Sequence, residues 1–427
     1  MATDNHANNT DNDDQTLNKV LDKGGEVREG EELDAQAVSN WLREQGVDIE
    51  GEPTVTQFSG GASNWTYRLQ YEGEGKSQDL ILRRPPKGTK AKSAHDMVRE
   101  YTVQKALKDA YPYVPKMVAL CTDENVIGAD FYVMERMEGI IPRANLPKGI
   151  DLDVEQTRAL CTNVIDALVD LHQVDYKAHP DLVNLGRGEG YCERQVTGWD
   201  KRYIKAKTPN VPSFGLVRQW LSKHTPADSK TCLIHNDWRF DNVILDAADP
   251  TKVIGVLDWE MATLGDPLMD LGSALAYWVE EDDNIIMQQS RRQPTHLKGM
   301  MTRNEVVAYY LEQTGLEIDN WTFYEVFGLF RLAGIVQQIY YRYYHKQTTN
   351  PAFKNFWIIV HVLHAKCLKL IAQYEGEILF TSRVQPHLQD MGVDAAMIEQ
   401  LPSPIQAVIK GILPKSYFGQ SAPKAEE

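Results

Sequence analysis

The residues with the clearest chemical potential lie in "LIHNDWRFDNVILD" (233–246) and "VLDWE" (256–260). Asp237 precedes Asn242 by five residues, and Asp258 follows Asn242 by sixteen. Phosphoryl transfer from ATP uses such a set, because one Asp accepts the hydroxyl proton while an Asn oxygen and a second Asp hold magnesium on the phosphates. Either acid alone is more typical of an Asx turn. The joint spacing favours a catalytic loop.

Short apolar strands are predicted on both sides of this loop, at "TCLIH" (231–235) and "KVIGVLD" (252–258). If these strands lie side by side, their ends bring the three polar residues into one cleft. Further upstream, 53–84 alternates apolar and polar residues around the tight element "SGGASN" (59–64), which indicates strands. Helical spacing follows at 95–109.

After residue 150 the pattern becomes mainly helical. Further helices are predicted at 214–224, 267–281, 303–315, 321–346 and 353–374. Strands followed by helices indicate an α+β fold with a small β-rich N-lobe and a larger, mainly helical C-lobe. Residues 1–32 carry nine acids, three bases and few apolar side chains, so we expect the acidic tail 1–33 to be disordered.

Composition narrows the classes of function. The net charge of −15 disfavours nucleic acid and anionic membranes as partners. The five cysteines are dispersed without a CxxC pair, which indicates reduced thiols. The N-terminus shows no secretory signal pattern, and the apolar stretch 356–372 is short and interrupted by His and Lys, so we predict a buried helix there and a cytoplasmic protein.

HxDxxxxN followed by an apolar strand ending in Asp resembles the aminoglycoside phosphotransferase and choline kinase family, which has a bilobal protein-kinase-like fold. "LRRPP", "REY", "FYVMERMEG" and "LDWEMATLGDP" are most similar to a subgroup of kinase-like domains found fused to acyl-CoA dehydrogenases. The resemblance implies a nucleotide-binding N-terminal lobe at 34–137. It also implies a catalytic and substrate lobe at 138–427, with a C-terminal extension.

The same resemblance implies roles for the residues of the motif. Asp237 would be the catalytic base, and Asn242 and Asp258 would be the magnesium ligands. His235 would brace the loop, Asp266 would steady it, and Asp241 and Asp246 are interpreted as turn or surface acids.

In the N-lobe the resemblance predicts an ATP site. "GGASN" is a weak signal alone and equally typical of a hairpin, but its position favours a phosphate-covering loop. The usual lysine of the third strand is replaced by arginine, at Arg83 or, as the less favoured alternative, at Arg84. Arginine keeps the charge but changes the reach. The predicted nucleotide-binding residues are Gly60, Gly61, Ser63, Asn64, Arg83, Glu100 (as the partner of Arg83), Met134, Glu135 and Met137.

The acceptor is less constrained by the sequence. The helix "FRLAGIVQQIYYRYYHK" (330–346) mixes aromatic and cationic groups that suit an anionic or partly apolar molecule, although a core helix has the same pattern. The subgroup resemblance suggests a small-molecule hydroxyl acceptor such as a hydroxyacyl-CoA or a related hydroxy acid. The alternatives are a catalytically inactive nucleotide-binding regulatory module and an aminoglycoside-type antibiotic kinase. A protein kinase is disfavoured because no DFG or APE motif is present.

Overall fold

The computed structural model describes residues 21–58, 64–73, 76–86, 96–376, 395–400, 403, 406 and 410. Its described residues form two compact units. The first contains those up to Gly186, together with Arg239–Thr263 and Lys298–Met300. The second contains Arg187–Trp238, Leu264–Leu297 and the described residues from Met301 onward. This division differs from the predicted lobe boundary at 137/138. The described residues up to Gly186 and the hairpin that carries Asn242 and Asp258 belong with the sheet.

An antiparallel five-stranded sheet lies in the first unit, in the order β1–β2–β3–β5–β4. Its strands are β1 (Thr54–Gln57), β2 (Trp65–Gly73), β3 (Lys76–Arg84), β4 (Met117–Cys121) and β5 (Phe131–Glu135). Alternation along β2 buries Tyr67, Leu69 and Tyr71 on one face. The register pairs Arg83 of β3 with Thr66 of β2 and Tyr132 of β5, so Arg83 occupies a central strand.

The helices described in this unit begin at an Asp N-cap, except the last, which follows His179. They are α1 (Ala35–Glu44), α2 (Met97–Leu107), α3 (Glu124–Ile127), α4 (Val154–Gln173) and α5 (Pro180–Val183). Asp96 accepts a hydrogen bond from the Arg99 amide and so fixes the start of α2, which carries Glu100. The sequence pattern of 125–139 is typical of a hairpin, but the structure has α3 there before β5, because Asp123 caps that turn through the Asn125 amide.

The motif hairpin is built differently from the predicted pairing. β6 (Cys232–Ile234) pairs with β9 (Thr263–Gly265), and β7 (Val243–Leu245) pairs with β8 (Val253–Val256). The two predicted strands are therefore not neighbours. The short run "VIL" after Asn242 is the partner of β8 instead.

Residues 21–33 depart from the prediction of a disordered tail. Gly25 exchanges backbone hydrogen bonds with Gln57 at 2.8 and 2.9 Å, and the Tyr67 hydroxyl donates to the Glu31 carbonyl. The Gln57 side chain is buried and bonds Glu31 and the Arg28 amide. These polar contacts order a segment that has little apolar surface of its own.

The second unit is mainly helical. Its helices are α6 (Tyr191–Ala206), α7 (Gly215–His224), α8 (Pro267–Leu275), α9 (Ile285–Ser290), α10 (Arg303–Thr314), α11 (Trp321–Tyr344), α12 (Phe356–Glu375) and α13 (Ala395–Glu399). The central helix α11 packs against α6, α7, α8 and α12. Close approach of α11 to α8 requires glycine, since a Cβ on Gly328 would lie 2.1 Å from the Gly272 carbonyl oxygen. The α+β class, with a small antiparallel sheet and a helical C-lobe, is thereby confirmed.

One helical stretch among the described residues, Pro351–Glu375, is long and apolar enough to cross a membrane. Of its most apolar 18-residue window, 44% is buried within the protein. The buried side includes Val360, Leu363, Cys367 and Leu368, and α12 packs on α11.

Candidate active site

Asn242 and Asp258 lie at the same end of the β7–β8 hairpin. Val243 pairs with Val256, and the Leu257 amide donates to the Asn242 carbonyl at 2.7 Å. Asp258 adopts a left-handed backbone conformation with φ +66°, which is uncommon for a residue with a Cβ. This conformation turns the chain at the end of β8, where Asp258 lies. Asn242 and Asp258 both line one pocket.

Arg83 joins two carboxylates in this unit. Its Nη1 lies 3.0 Å from Glu100 and its Nη2 lies 3.1 Å from Asp258. Arg83 and Glu100 are 8% and 1% exposed, while the Asp258 side chain is 29% exposed. Burial raises the pKa of Glu100 although Arg83 opposes the shift. Burial alone would lower the pKa of Arg83, but Glu100, Tyr132 and Asp258 hold it well above its usual value. The guanidinium is therefore a fixed cation.

The end of β5 forms another wall of the pocket. Met134, Glu135 and Met137 all line it, together with Arg83, Asn242 and Asp258. Immediately after this segment, Ile140 exchanges backbone hydrogen bonds with Leu245 at 2.9 and 2.8 Å. The chain following β5 is thus tied to the β7–β8 hairpin.

The glycine at position 139 makes that connection possible. A Cβ on Gly139 would lie 2.3 Å from the Leu245 carbonyl oxygen and 2.5 Å from the Ile244 side chain. Any other residue would push the two segments apart.

Of the predicted phosphate-covering loop, the structure describes only the end. Gly60, Gly61 and Ser63 lie outside the described residues. Asn64 is buried, and its amide donates to the Glu260 carboxylate at 3.2 Å. Glu260 follows Asp258 by two residues, so this hydrogen bond connects the end of the 59–64 loop to the segment that carries Asp258.

Four charged pocket residues were not predicted as site residues: Asp22, Arg136, Arg143 and Asp241. Asp22 lines the pocket; its carboxylate pairs with Arg143 at 2.9 Å, and its carbonyl accepts from Arg136 at 2.8 Å. Asp241 also lines the pocket and pairs with Arg239 at 3.2 Å, so its interpretation as a turn acid is incomplete. No sequence signal separates these residues from ordinary surface charges.

Asp246 does serve a turn. Its carboxylate accepts hydrogen bonds from the Ala248 and Asp249 amides at 2.7 and 3.1 Å. This geometry is that of an Asx turn.

Asp237 belongs to the second unit. Its amide lies 3.3 Å from His235 Nδ1, and His235 is fully buried. The preceding residue, Asn236, has φ +69°. The loop is held by Asp270, which accepts from the His235 and Asn236 amides at 2.9 and 2.8 Å.

The predicted role of Asp266 was wrong, since Asp270 steadies the loop instead. Asp266 is the N-cap of α8 and accepts from the Leu268 and Met269 amides at 2.9 and 3.0 Å. Its other oxygen accepts from Ser229. The signal was available, because Asp followed by Pro is typical of a helix cap with Pro at the first helical position.

The model of the phosphotransferase enzyme family (APH) matches residues 54–311. The chain belongs to this phosphotransferase family. Relatives include mouse acyl-CoA dehydrogenase family member 10, 37% identical over 300 residues, and human acyl-CoA dehydrogenase family member 11, 34% identical over 326 residues. These matches cover 70% and 74% of this chain but only 27% and 40% of the relatives, so the chain spans well under half their length.

Solved structures agree with this family assignment. A protein from Ralstonia eutropha JMP134 described as an aminoglycoside phosphotransferase is 29% identical, with a TM-score of 0.65 over 78% of this chain and 96% of the other. Macrolide 2'-phosphotransferase type I, at 17% identity and a TM-score of 0.50 over 77% and 95% of the two chains, shares the fold. The predicted kinase-like fold and the resemblance to acyl-CoA dehydrogenase relatives are both confirmed. Membership of the phosphotransferase family supports activity of the small-molecule kinase type.

The donor set of the phosphotransferase's pocket fits magnesium. Asn242 supplies an amide oxygen and Asp258 a carboxylate, both hard ligands. Among the described residues there is no group of three or more His, Cys, Asp or Glu that could hold a metal by itself. Magnesium usually takes one or two carboxylates and completes its shell with water and phosphate oxygens, so two protein ligands suffice.

Proposed function

We propose that the chain is an ATP- and magnesium-dependent phosphotransferase acting on a hydroxyl group of a small molecule. The observation that carries this proposal is the single pocket that contains Arg83, Asn242 and Asp258 together with the end of β5. A kinase-like nucleotide site needs a cation for the phosphates and oxygen ligands for magnesium. It also needs a strand end whose backbone can bond the adenine ring.

Each residue has a role in the proposed reaction. Met134 would face the adenine, and the backbone groups of Glu135 and Met137 would bond its edge. Arg83 would hold phosphate oxygens while Glu100 fixes its direction. Asn64 would cover the phosphates from the preceding loop, together with Gly60, Gly61 and Ser63, which lie outside the described residues.

Asn242 and Asp258 would hold the magnesium, which when bound supplies positive charge against the phosphate oxygens. Asp237 would accept the hydroxyl proton as the acceptor oxygen attacks the γ-phosphorus. The bond from that phosphorus to the β,γ-bridging oxygen breaks, which releases ADP. The proposed acceptor is a hydroxyacyl-CoA or a related hydroxy acid, as the acyl-CoA dehydrogenase relatives suggest.

The test is a phosphotransfer screen with ATP, magnesium and a library of hydroxyacyl-CoA thioesters, free hydroxy acids and aminoglycosides. ADP release and phosphorylated product are measured for the wild type, Asp237→Ala and Asp258→Ala. Product from the wild type and none from either variant supports the proposal. Full turnover in both variants would refute the assignment of Asp237 and Asp258 to the site.

The same screen separates the rival functions. Phosphorylation of aminoglycosides alone would identify an antibiotic kinase. ATP binding without any ADP release would identify a regulatory module that has lost catalysis.

A further inference from the structure

The peptide unit between Asn236 and Asp237 is held on two sides. Arg331 donates from Nη2 to the Asn236 carbonyl oxygen at 2.6 Å, and the Asp237 amide lies 3.3 Å from His235 Nδ1. A peptide unit is planar, so fixing its oxygen and its nitrogen fixes its orientation. That orientation sets where the Asp237 side chain begins.

The conformation held in this way is an unusual one. Asn236 has φ +69°, a region that side-chain-bearing residues rarely occupy. Asp270 accepts a hydrogen bond from the Asn236 amide at 2.8 Å, and the side chain of Asn236 is hydrogen-bonded to the Tyr191 hydroxyl. Asp270 thus fixes the amide side of this residue and Arg331 the carbonyl side.

Arg331 is itself immobilised. It lies in the middle of α11 and is 3% exposed. Its guanidinium stacks over the buried Trp199 ring of α6, 5.4 Å from the centroid. A planar guanidinium can stack on an aromatic face while donating in its own plane, a combination that lysine cannot reproduce.

We propose that Arg331 is a positioning residue for catalysis, which acts by holding the Asn236–Asp237 peptide so that the Asp237 carboxylate meets the acceptor hydroxyl. This inference rests on the proposed function, in which Asp237 is the base. It assigns α11 a catalytic duty beyond core packing. Among the described residues that line the nucleotide pocket, none comes from α11 or the 235–237 loop. Replacing Arg331 should therefore lower kcat and leave ATP binding unchanged.

The experiment compares Arg331→Met and Arg331→Lys with the matched control Arg202→Met. Arg202 stacks on the same Trp199 ring at 4.8 Å but is exposed and lies outside the proposed machinery. The steady-state rate is measured with saturating ATP, magnesium and the best acceptor from the hydroxyacyl screen. We expect kcat to fall about 100-fold in Arg331→Met, because misplacing a catalytic group by 1 Å has an effect of that order. The KM for ATP should stay within about twofold, and Arg202→Met should match the wild type in kcat.

Two further measurements separate positioning from a folding defect. Arg331→Lys keeps the charge and stem, so it should fold with an unchanged melting temperature yet lose at least about 10-fold in kcat. Arg331→Ala should regain part of its lost kcat when guanidinium ion is added at a non-denaturing concentration. A purely structural loss would not respond to guanidinium.

The outcomes distinguish the two proposals. A wild type that phosphorylates no acceptor refutes the proposed function and this inference with it. If Asp237→Ala is inactive while Arg331→Lys keeps the wild-type kcat, the positioning role alone is refuted. Equal losses in kcat for Arg331→Met and Arg202→Met would also overturn it.

Discussion

Replacing Arg83 by methionine should destabilise the protein in a pH-dependent way. Methionine keeps the length and apolar stem but leaves Glu100 buried, 1% exposed, without its cation. Removing one partner of a buried pair typically costs about 3–5 kcal/mol. We expect a loss near the lower end, about 3 kcal/mol at pH 8, because Glu100 can escape part of the penalty by taking up a proton.

The direction of the pH dependence follows from linkage. Burial already raises the folded-state pKa of Glu100, and losing Arg83 raises it further. A group with a raised folded pKa contributes stability that is fully present below its unfolded pKa and is lost as pH rises through the folded pKa. The variant's deficit should therefore be larger at pH 8 than at pH 5, by about 1.4 kcal/mol for each unit of additional pKa shift.

Urea unfolding of the wild type and Arg83→Met at pH 5 and pH 8, followed by tryptophan fluorescence, checks this prediction. Arg187→Met, the same change at an exposed position, should stay within about 0.5 kcal/mol of the wild type at both pH values. Adding Glu100→Gln to Arg83→Met should restore most of the loss at pH 8, since the buried charge is then gone. An equal deficit at both pH values, or no recovery in the double variant, would refute the reasoning.

Three further substitutions test residues outside the Arg83–Glu100 pair. Gly139→Ala should weaken ATP binding by about 10-fold, because its Cβ would meet the Leu245 carbonyl at 2.3 Å; calorimetric titration with MgATP checks this. Asp270→Asn should lower the free energy of unfolding by about 2 kcal/mol, because the new NH2 group cannot accept one of the two amide hydrogen bonds and the remaining acceptor oxygen is neutral; urea titration measures it, and a change under about 0.5 kcal/mol would contradict it. Asp22→Ala removes a carboxylate from the pocket and should tighten ATP binding about twofold to fivefold in low salt, an effect that should disappear in about 1 M KCl because salt screens the repulsion.

The sequence was most informative where chemistry dictates residue type. Asn242, Asp258 and Arg83 were predicted from motif and strand position, and the structure places all three at one pocket. The Arg83–Glu100 ion pair was predicted as well. Arg83 and Glu100 were expected from the family resemblance, which assigns one of them to the third strand and the other to the following helix, and the structure has them there. Their catalytic roles remain predictions.

Strand partners could not be read from the sequence in the same way. The three-residue run Val243–Leu245 is too short for a periodicity signal, yet it pairs with Val253–Val256. Pairing of such short segments is decided by the surrounding tertiary structure. The Ile140–Leu245 hydrogen bonds, 105 residues apart, are an example that no local pattern announces.

Arginine in place of the usual lysine at position 83 has a physical consequence for the whole site. A lysine ammonium is one point charge on a flexible stem, whereas the guanidinium presents separate nitrogens in a rigid plane. Here Nη1 pairs with Glu100 of α2 and Nη2 pairs with Asp258 of the β7–β8 hairpin at the same time. The helix, the central strand and the hairpin are therefore joined through one side chain before any nucleotide arrives. A site whose charges are already oriented loses less free energy to reorganisation when phosphates bind, so the substitution favours preorganisation over mobility.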